Sequence, residues 1–362
     1  MKHLVKILFL VFASTFFYSC GSSQKATEFT TPNKPKNIIL LIGDGMGLSQ
    51  VSSAYFYKRE GNPNFDRFTT IGLSKTSSAS DLITDSAAGA TVFSTGVKTY
   101  NNAIGVAVDS TPVPTIMEHL IQRNYSTGII ATSSIQHATP ASFYAHVKHR
   151  NMYEDITEFI PYSGIDFFAG GGLKFFTNRE DGRNLLDESA TAGYKIITDF
   201  LPSETSSEKE LILLAEDGMP KMQEGRGDFL PRATQLALDK LSRNKDGFFL
   251  VVEGSQIDWG GHANDAPYLI LELLDFDEAV GVALDFAEQN GETLVIVTAD
   301  HETGGFTLAG NDNYNDLNPV FSTTGHSATM VPVFAIGPGA ELFGGIYENN
   351  EIYHKMMQLL AP

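Results

Sequence analysis

Four short stretches of this chain are rich in β-branched and apolar residues and show no polar–apolar alternation: Asn37 to Ile42 (NIILLI), Ser126 to Ala131 (STGIIA), Gly247 to Val252 (GFFLVV) and Thr293 to Val297 (TLVIV). A strand with one face in water alternates, whereas a continuous run has two faces to bury. A parallel sheet with helices on both sides meets that requirement. Val331 to Ile336 (VPVFAI) is expected to be a fifth such strand. Pro267 to Gln289 carries Leu269, Leu273, Val280 and Ala283 on a broad apolar face and stops at Asn290-Gly291, the pattern of a covering helix. The expected fold is therefore α/β, a doubly wound, mostly parallel central sheet flanked by helices. At 362 residues and 42% hydrophobic, the chain has enough apolar material for the core of one such domain. No internal repeat is visible. Pro202 to Glu210 (PSETSSEKE) reads as a solvated loop, and Tyr162 to Pro231, the region of weakest pattern, as an excursion beside the sheet.

In open α/β sheets the ligand crevice lies beyond the carboxyl ends of the strands. Asp44 follows the first run, Glu253 the third, and Asp300 with His301 the fourth, so these side chains should converge. Crowded carboxylates repel one another and raise each other's pKa unless cations compensate. Asp258 and His262 stand four apart in DWGGH, on one face if that segment is helical, and offer the oxygen and imidazole ligands that suit zinc. His326, in TTGHSAT before the fifth run, is a further imidazole at a loop.

Thr84 to Thr99 (TDSAAGATVFSTGVKT) places an Asp-Ser pair before a run of Ala, Gly and Thr. A surface helix would carry a stripe of larger apolar residues, so the lack of bulk behind Ser86 implies that something approaches that serine closely.

The N-terminus has Lys2, His3 and Lys6, then the apolar Ile7 to Ala13, then Ser14 to Ser19 and Cys20, the order of an export signal. Cys20 is the only cysteine, which leaves no disulfide in the mature chain. Its setting resembles a bacterial lipoprotein signal, in which the cysteine becomes the lipidated N-terminus; a plain cleaved signal is the alternative. The expected organisation is a signal peptide at 1–19, a tether at 20–36 and a single domain at 37–362. Export would be to the periplasm or outer membrane, with Cys20 as the lipid anchor to the membrane. With 25 basic against 43 acidic residues the net charge is −18. That excludes nucleic acid as a partner, since phosphate backbones demand basic patches.

The segments NIILLIGDGMG (37–47), TDSAAGATVFSTGVKTYN (84–101), QHATPASFYAHVKHR (136–150), VEGSQIDWGGH (252–262), TADHETGG (298–305) and GHSATMVPVFAIGPGA (325–340) together resemble the bacterial alkaline phosphatases, in the family's order and over nearly all of the mature chain. The resemblance implies metal-dependent hydrolysis of phosphate monoesters through a covalent phosphoserine, releasing inorganic phosphate and an alcohol. It makes Ser86 the nucleophile, with its proton lost to a metal rather than to a neighbouring histidine, and Arg150 the bidentate grip on two phosphate oxygens. Two Zn2+ are implied, one held by Asp258, His262 and His326, the other by Asp44, Asp300, His301 and the Ser86 oxygen. One Mg2+ would be shared by Asp44, Thr139 and Glu253. His137 and Trp259 stand where the best-known enterobacterial pattern has Asp and Lys. Both would face the substrate, Trp259 could equally be packing, and an imidazole near the third ion could draw Zn2+ or Co2+ instead. His119, His146, His149 and His354 receive no role. The family is often dimeric, so a homodimer is a further expectation.

Rival chemistries are a phosphodiesterase or sulfatase built on the same metal-bearing sheet, or a surface protein that stores zinc or captures phosphate without turnover. Arg150 argues against the diesterase, the residues after Ser86 (Ala87-Ala88-Gly89) lack a sulfatase signature, and an activatable oxygen at Ser86 has no use in a storage protein.

Overall fold

The computed structural model describes residues 34–311 and 315–361. The signal peptide, Cys20 and nearly all of the tether lie outside the described residues.

A ten-stranded sheet forms the centre. Its spatial order is Gly345–Glu348, Thr70–Lys75, Val331–Ile336, Thr293–Thr298, Asn37–Gly43, Phe248–Gly254, Ser126–Ser134, Phe167–Gly171, Lys209–Leu213 and Tyr194–Ile197. The central pairings are parallel, with Ile38 to Ile42 in register with Phe249 to Glu253 on one side and with Leu294 to Thr298 on the other. Asn37 fastens the lower ends of these three strands: its amide donates to Thr293 Oγ1 (3.1 Å) and accepts from the Phe248 amide (3.2 Å).

The uninterrupted runs are explained by two cores, one on each face. Ile38, Leu40, Ile42, Phe249, Val251, Leu294 and Ile296 face one; Ile39, Leu41, Phe248, Leu250, Val252, Val295 and Val297 face the other. Burying each such side chain stabilises by about 1.5–3 kcal/mol. The long covering helix runs Ala266–Asn290 and ends at Gly291, whose φ of 71° is the left-handed conformation that glycine adopts without strain.

Two expectations are corrected. Val331–Ile336 joins the sheet but runs against its neighbours, antiparallel to both Thr293–Thr298 and Thr70–Lys75. Thr293–Thr298 ends at the crevice edge and the chain re-enters the sheet at Val331 from that same edge, so the next strand must run backwards. The second correction concerns 162–231, which is not beside the sheet. Phe167–Gly171, Tyr194–Ile197 and Lys209–Leu213 form one of its ends, and the supposed loop at 202–210 already contains the start of the last. Glycine conceals the first of these: a Cβ on Gly171 would lie 1.7 Å from the Asp217 carbonyl oxygen, so close backbone approach excludes the side chains that mark a strand.

Candidate active site

Three central strands end together and deliver their loops to one place. Asp44 directly follows Gly43, Glu253 is the penultimate residue of its strand, and Asp300-His301 lies just past Thr298. The segment after Glu253 is helical from Gln256 to His262, which brings Asp258 and His262 to one side. His326 lies on a two-residue strand, His326–Ser327, paired with Glu302–Thr303 immediately after His301.

Ser86 is the first residue of a helix, Ser86–Thr95, that is buried along its whole length. Asp85 caps it, accepting from the Ala88 amide at 3.0 Å, and Gly96 ends it in the left-handed conformation. The lack of bulk has a packing cause: a Cβ on Gly89 would lie 2.9 Å from the Asp300 Cβ. The small residues let the Ser86 helix lie directly on the Asp300 loop.

The side chains gather into three sets whose candidate ligand atoms lie within 4.8 Å of one another: Asp258, His262 and His326; Asp44, Asp258 and His301; and Asp44, His137 and Glu253. His262 Nε2 and His326 Nε2 are 3.1 Å apart, and Asp258 Oδ1 is 3.4 Å and 3.6 Å from them. His262 Nδ1 bonds the Thr324 carbonyl (2.6 Å) and His326 Nδ1 the Thr84 carbonyl (2.8 Å). A carbonyl only accepts, so each Nδ1 carries the proton and each Nε2 presents a bare lone pair to the set. His301 Nε2 lies 3.1 Å from Asp300 Oδ2, 3.5 Å from Asp44 Oδ1 and 3.2 Å from Ser86 Oγ. No histidine adjoins Ser86 in sequence, yet the fold brings this imidazole to hydrogen-bond distance.

These groups want positive charge. Both Asp44 oxygens, Glu253 Oε1 and His137 Nδ1 are buried without a hydrogen-bond partner. Burial and then the charges of Asp300, Asp258 and Glu253 push the Asp44 carboxyl well above its usual range, against the opposing Arg150. Burial pushes Glu253 up to about 7, although Ser255 donates to it at 2.6 Å. Burial also pushes Asp300 up, but His301 beside it outweighs that and holds it below the ordinary value. His137 is pushed down to about 3, first by burial and then by Arg150, so its imidazole is neutral. Orphaned carboxylates facing bare imidazole nitrogens fit divalent cations.

Arg150 adjoins the third set, donating from one nitrogen to Asp85 Oδ2 (3.0 Å), with another 3.3 Å from His137 Nε2. Trp259 meets the His137 ring edge-on at 5.8 Å, and its far side is covered by Gly218, where a Cβ would lie 2.6 Å from the indole. The predicted residues thus all assemble here. His119 and His354 lie on helices Ile116–Ile121 and Asn350–Leu360, and His146 is occupied by Glu118 and the Gly105 carbonyl.

Sequence reasoning missed the residues that hold these groups. Asp85 both caps the Ser86 helix and pairs with Arg150; its place beside Ser86 was the available signal. Ser133 and Ser255 donate to Glu253. Glu302 accepts from Gln50, the Phe306 amide and Ser327, binding the short strand that follows His301 to the one that carries His326. Thr303 Oγ1 donates to Asp258 Oδ1 at 2.5 Å and lies 3.1 Å from His301 Nδ1. Apart from adjacency to a ligand, nothing in the sequence marks them.

Residues 35–320 match the family model described as alkaline phosphatase. Alkaline phosphatase 3 of Bacillus subtilis is 38% identical over 335 residues, covering 86% of this chain and 72% of its own. The alkaline phosphatase of Escherichia coli is 32% identical over 421 residues, covering 94% and 89%. Among solved structures, the alkaline phosphatase of the Antarctic bacterium TAB5 is 54% identical with a TM-score of 0.89, covering 91% of this chain and 99% of its own. A variant of that protein, with a histidine replaced by aspartate, has magnesium bound in its M3 site. With the family model, the relatives and the fold in agreement, the chain belongs to the alkaline phosphatase family and is a phosphomonoesterase.

Proposed function

We propose that Ser86 is the nucleophile, forming and then releasing a phosphoserine, and that Arg150 grips the phosphoryl oxygens. The observation that carries this reading is the position of Ser86 Oγ, at the first turn of a buried helix and 3.2 Å from an imidazole nitrogen shared with two carboxylates. The positive end of the helix favours an anion beside that hydroxyl. Asp85 engages one nitrogen of the guanidinium and His137 faces another, which leaves the other N–H groups of the fork for a phosphate.

Asp258, His262 and His326 would hold one zinc, and Asp44, Asp300 and His301, with the Ser86 oxygen, a second. Asp44, Thr139 and Glu253 would hold a third ion. Such ions, when bound, supply Lewis acidity and lower the pKa of a coordinated hydroxyl. Magnesium suits the oxygen ligands of the third set, but the neutral His137 ring beside Asp44 and Glu253 favours zinc or cobalt there. The magnesium seen in the TAB5 variant after its histidine became aspartate supports the imidazole as the deciding feature. His137 then serves the third ion as much as the substrate, with Trp259 packed behind it. A homodimer is part of the same reading, tested by the mass of the protein in solution.

Elemental analysis of the purified protein tests the assignment. The expected result is two zinc per chain plus a third ion, with monoesterase activity lost on chelation and restored by adding metal back. Full activity in protein stripped of metal would overturn it.

A further inference from the structure

Three loops that carry candidate ligands close around one side chain that is not a ligand. Thr303 is fully buried. Its amide donates to the Gly45 carbonyl (3.1 Å), next to Asp44. A Cβ on Gly45, whose φ is 71°, would lie 2.7 Å from Thr303 Oγ1, and one on Gly261, next to His262, would lie 2.9 Å from Thr303 Cγ2. Two glycines therefore leave room for this threonine, and the enclosure fixes its rotamer.

The hydroxyl has one proton to give. Asp258 Oδ1, at 2.5 Å, belongs to a carboxylate, which only accepts when ionised, so the proton points there. Thr303 Oγ1 can then only accept from His301 Nδ1, at 3.1 Å. His262 and His326 have their tautomers set by backbone carbonyls. At His301 the partner is a hydroxyl that could serve either way, and Asp258 decides its direction.

We propose that Thr303 is a positioning residue: it holds the His301 ring with the proton on Nδ1 and Nε2 bare, and its single hydroxyl ties the Asp258 ligand set to the His301 set. The proposal rests on the reading of Asp258 and His301 as metal ligands. In that arrangement the two sites share an outer contact, and losing it loosens both. Removing such a second layer around a metal typically costs 10–100-fold in affinity.

The test uses zinc-loaded wild type, Thr303→Ser and Thr303→Ala, titrated with a competing chelator. Both variants lose the methyl, and only Ala loses the hydroxyl. Thr303→Ser should hold zinc within a few-fold of wild type, while Thr303→Ala should release it roughly 10–100-fold more readily, from the sites of both Asp258 and His301. Nitrogen-15 spectra of histidine-labelled protein supply a second reading, which in the wild type requires no variant: the His301 proton must sit on Nδ1, and its resonance must shift in the Ala variant but not in the Ser variant. Equal zinc affinity in Ala and Ser, whether both tight or both weak, would overturn the proposal, as would a wild-type His301 without a proton on Nδ1. A wild type that binds no zinc would instead overturn the metal assignment beneath it.

Discussion

Asp85 is the residue through which Ser86, the proposed nucleophile, and Arg150, the proposed phosphate clamp, are geometrically one unit. Its Oδ1 accepts from the Ala88 and Asn102 amides while its Oδ2 holds Arg150. The guanidinium therefore keeps its place relative to Ser86 before any substrate arrives, and little ordering is required on binding. A monoester dianion has one more unesterified oxygen than a diester for that fork to engage. Charge-assisted hydrogen bonds are worth about 1.5–3 kcal/mol each, so Arg150→Ser should lower kcat/KM for monoesters by roughly 10²–10⁴. Diesters should lose much less, narrowing the monoester preference by about tenfold or more. Steady-state kinetics on matched esters decide this, and equal losses would make Arg150 a support of the fold. At this scale the convergence of the candidate ligands was legible, because Asp44, Glu253 and Asp300-His301 stand at the ends of recognisable strands. Thr303 and Glu302 were not. Their importance comes from what the fold puts opposite them, Asp258 for one and Ser327 and Gln50 for the other.

Among the elements, legibility followed burial. Asn37–Gly43 announces itself because Ile38 and Leu40 need one core while Ile39 and Leu41 need the other. Tyr194–Ile197 is an edge strand with only Tyr194 buried, and Phe167–Gly171 ends in glycines fitted against a neighbouring backbone, so neither leaves a pattern. Strand direction is absent from any such pattern; Val331–Ile336 runs backwards because the chain re-enters the sheet from the edge at which Thr293–Thr298 ends. One contact between elements predicts a pH dependence. His146 Nδ1 faces the Gly105 carbonyl at 2.6 Å and Nε2 faces Glu118 Oε1 at 3.1 Å, two acceptors for two N–H groups of an imidazolium. Burial pushes the His146 pKa down, but Glu118 and the Gly105 carbonyl outweigh it and hold the pKa above the ordinary 6.5. A raised pKa gives stability that is complete below the unfolded value and lost as pH climbs through the folded one. His146→Gln should therefore destabilise by about 1 kcal/mol more at pH 6 than at pH 9 in denaturant unfolding. A penalty that is constant or grows with pH would contradict the ion pair.

Over the whole molecule, an acidic surface and a crevice demanding cations suit a small anionic substrate only where metal ions and Arg150 offset the repulsion. That focuses phosphate binding on one edge of the sheet. We also propose that the chain works outside the cytoplasm, in the periplasm or at the outer membrane, tethered through Cys20 by residues 20–36. Labelled palmitate should enter the protein in its host and Cys20→Ala should abolish the labelling. Soluble protein with its N-terminus elsewhere would remove the anchor from the account.

The central claim is that phosphate passes through Ser86. Rapid quenching during monoester turnover, followed by mass spectrometry of the peptide containing residues 84–98, tests it most directly. The account predicts a phosphoryl group on Ser86 during turnover. Ser86→Ala should show no phosphopeptide and lose on the order of 10³-fold or more in kcat while keeping the wild type's metal content, because the other candidate ligands of the proposed sites remain. Near-normal turnover by that variant, or steady turnover in the wild type with Ser86 never phosphorylated under any quench condition, would contradict it.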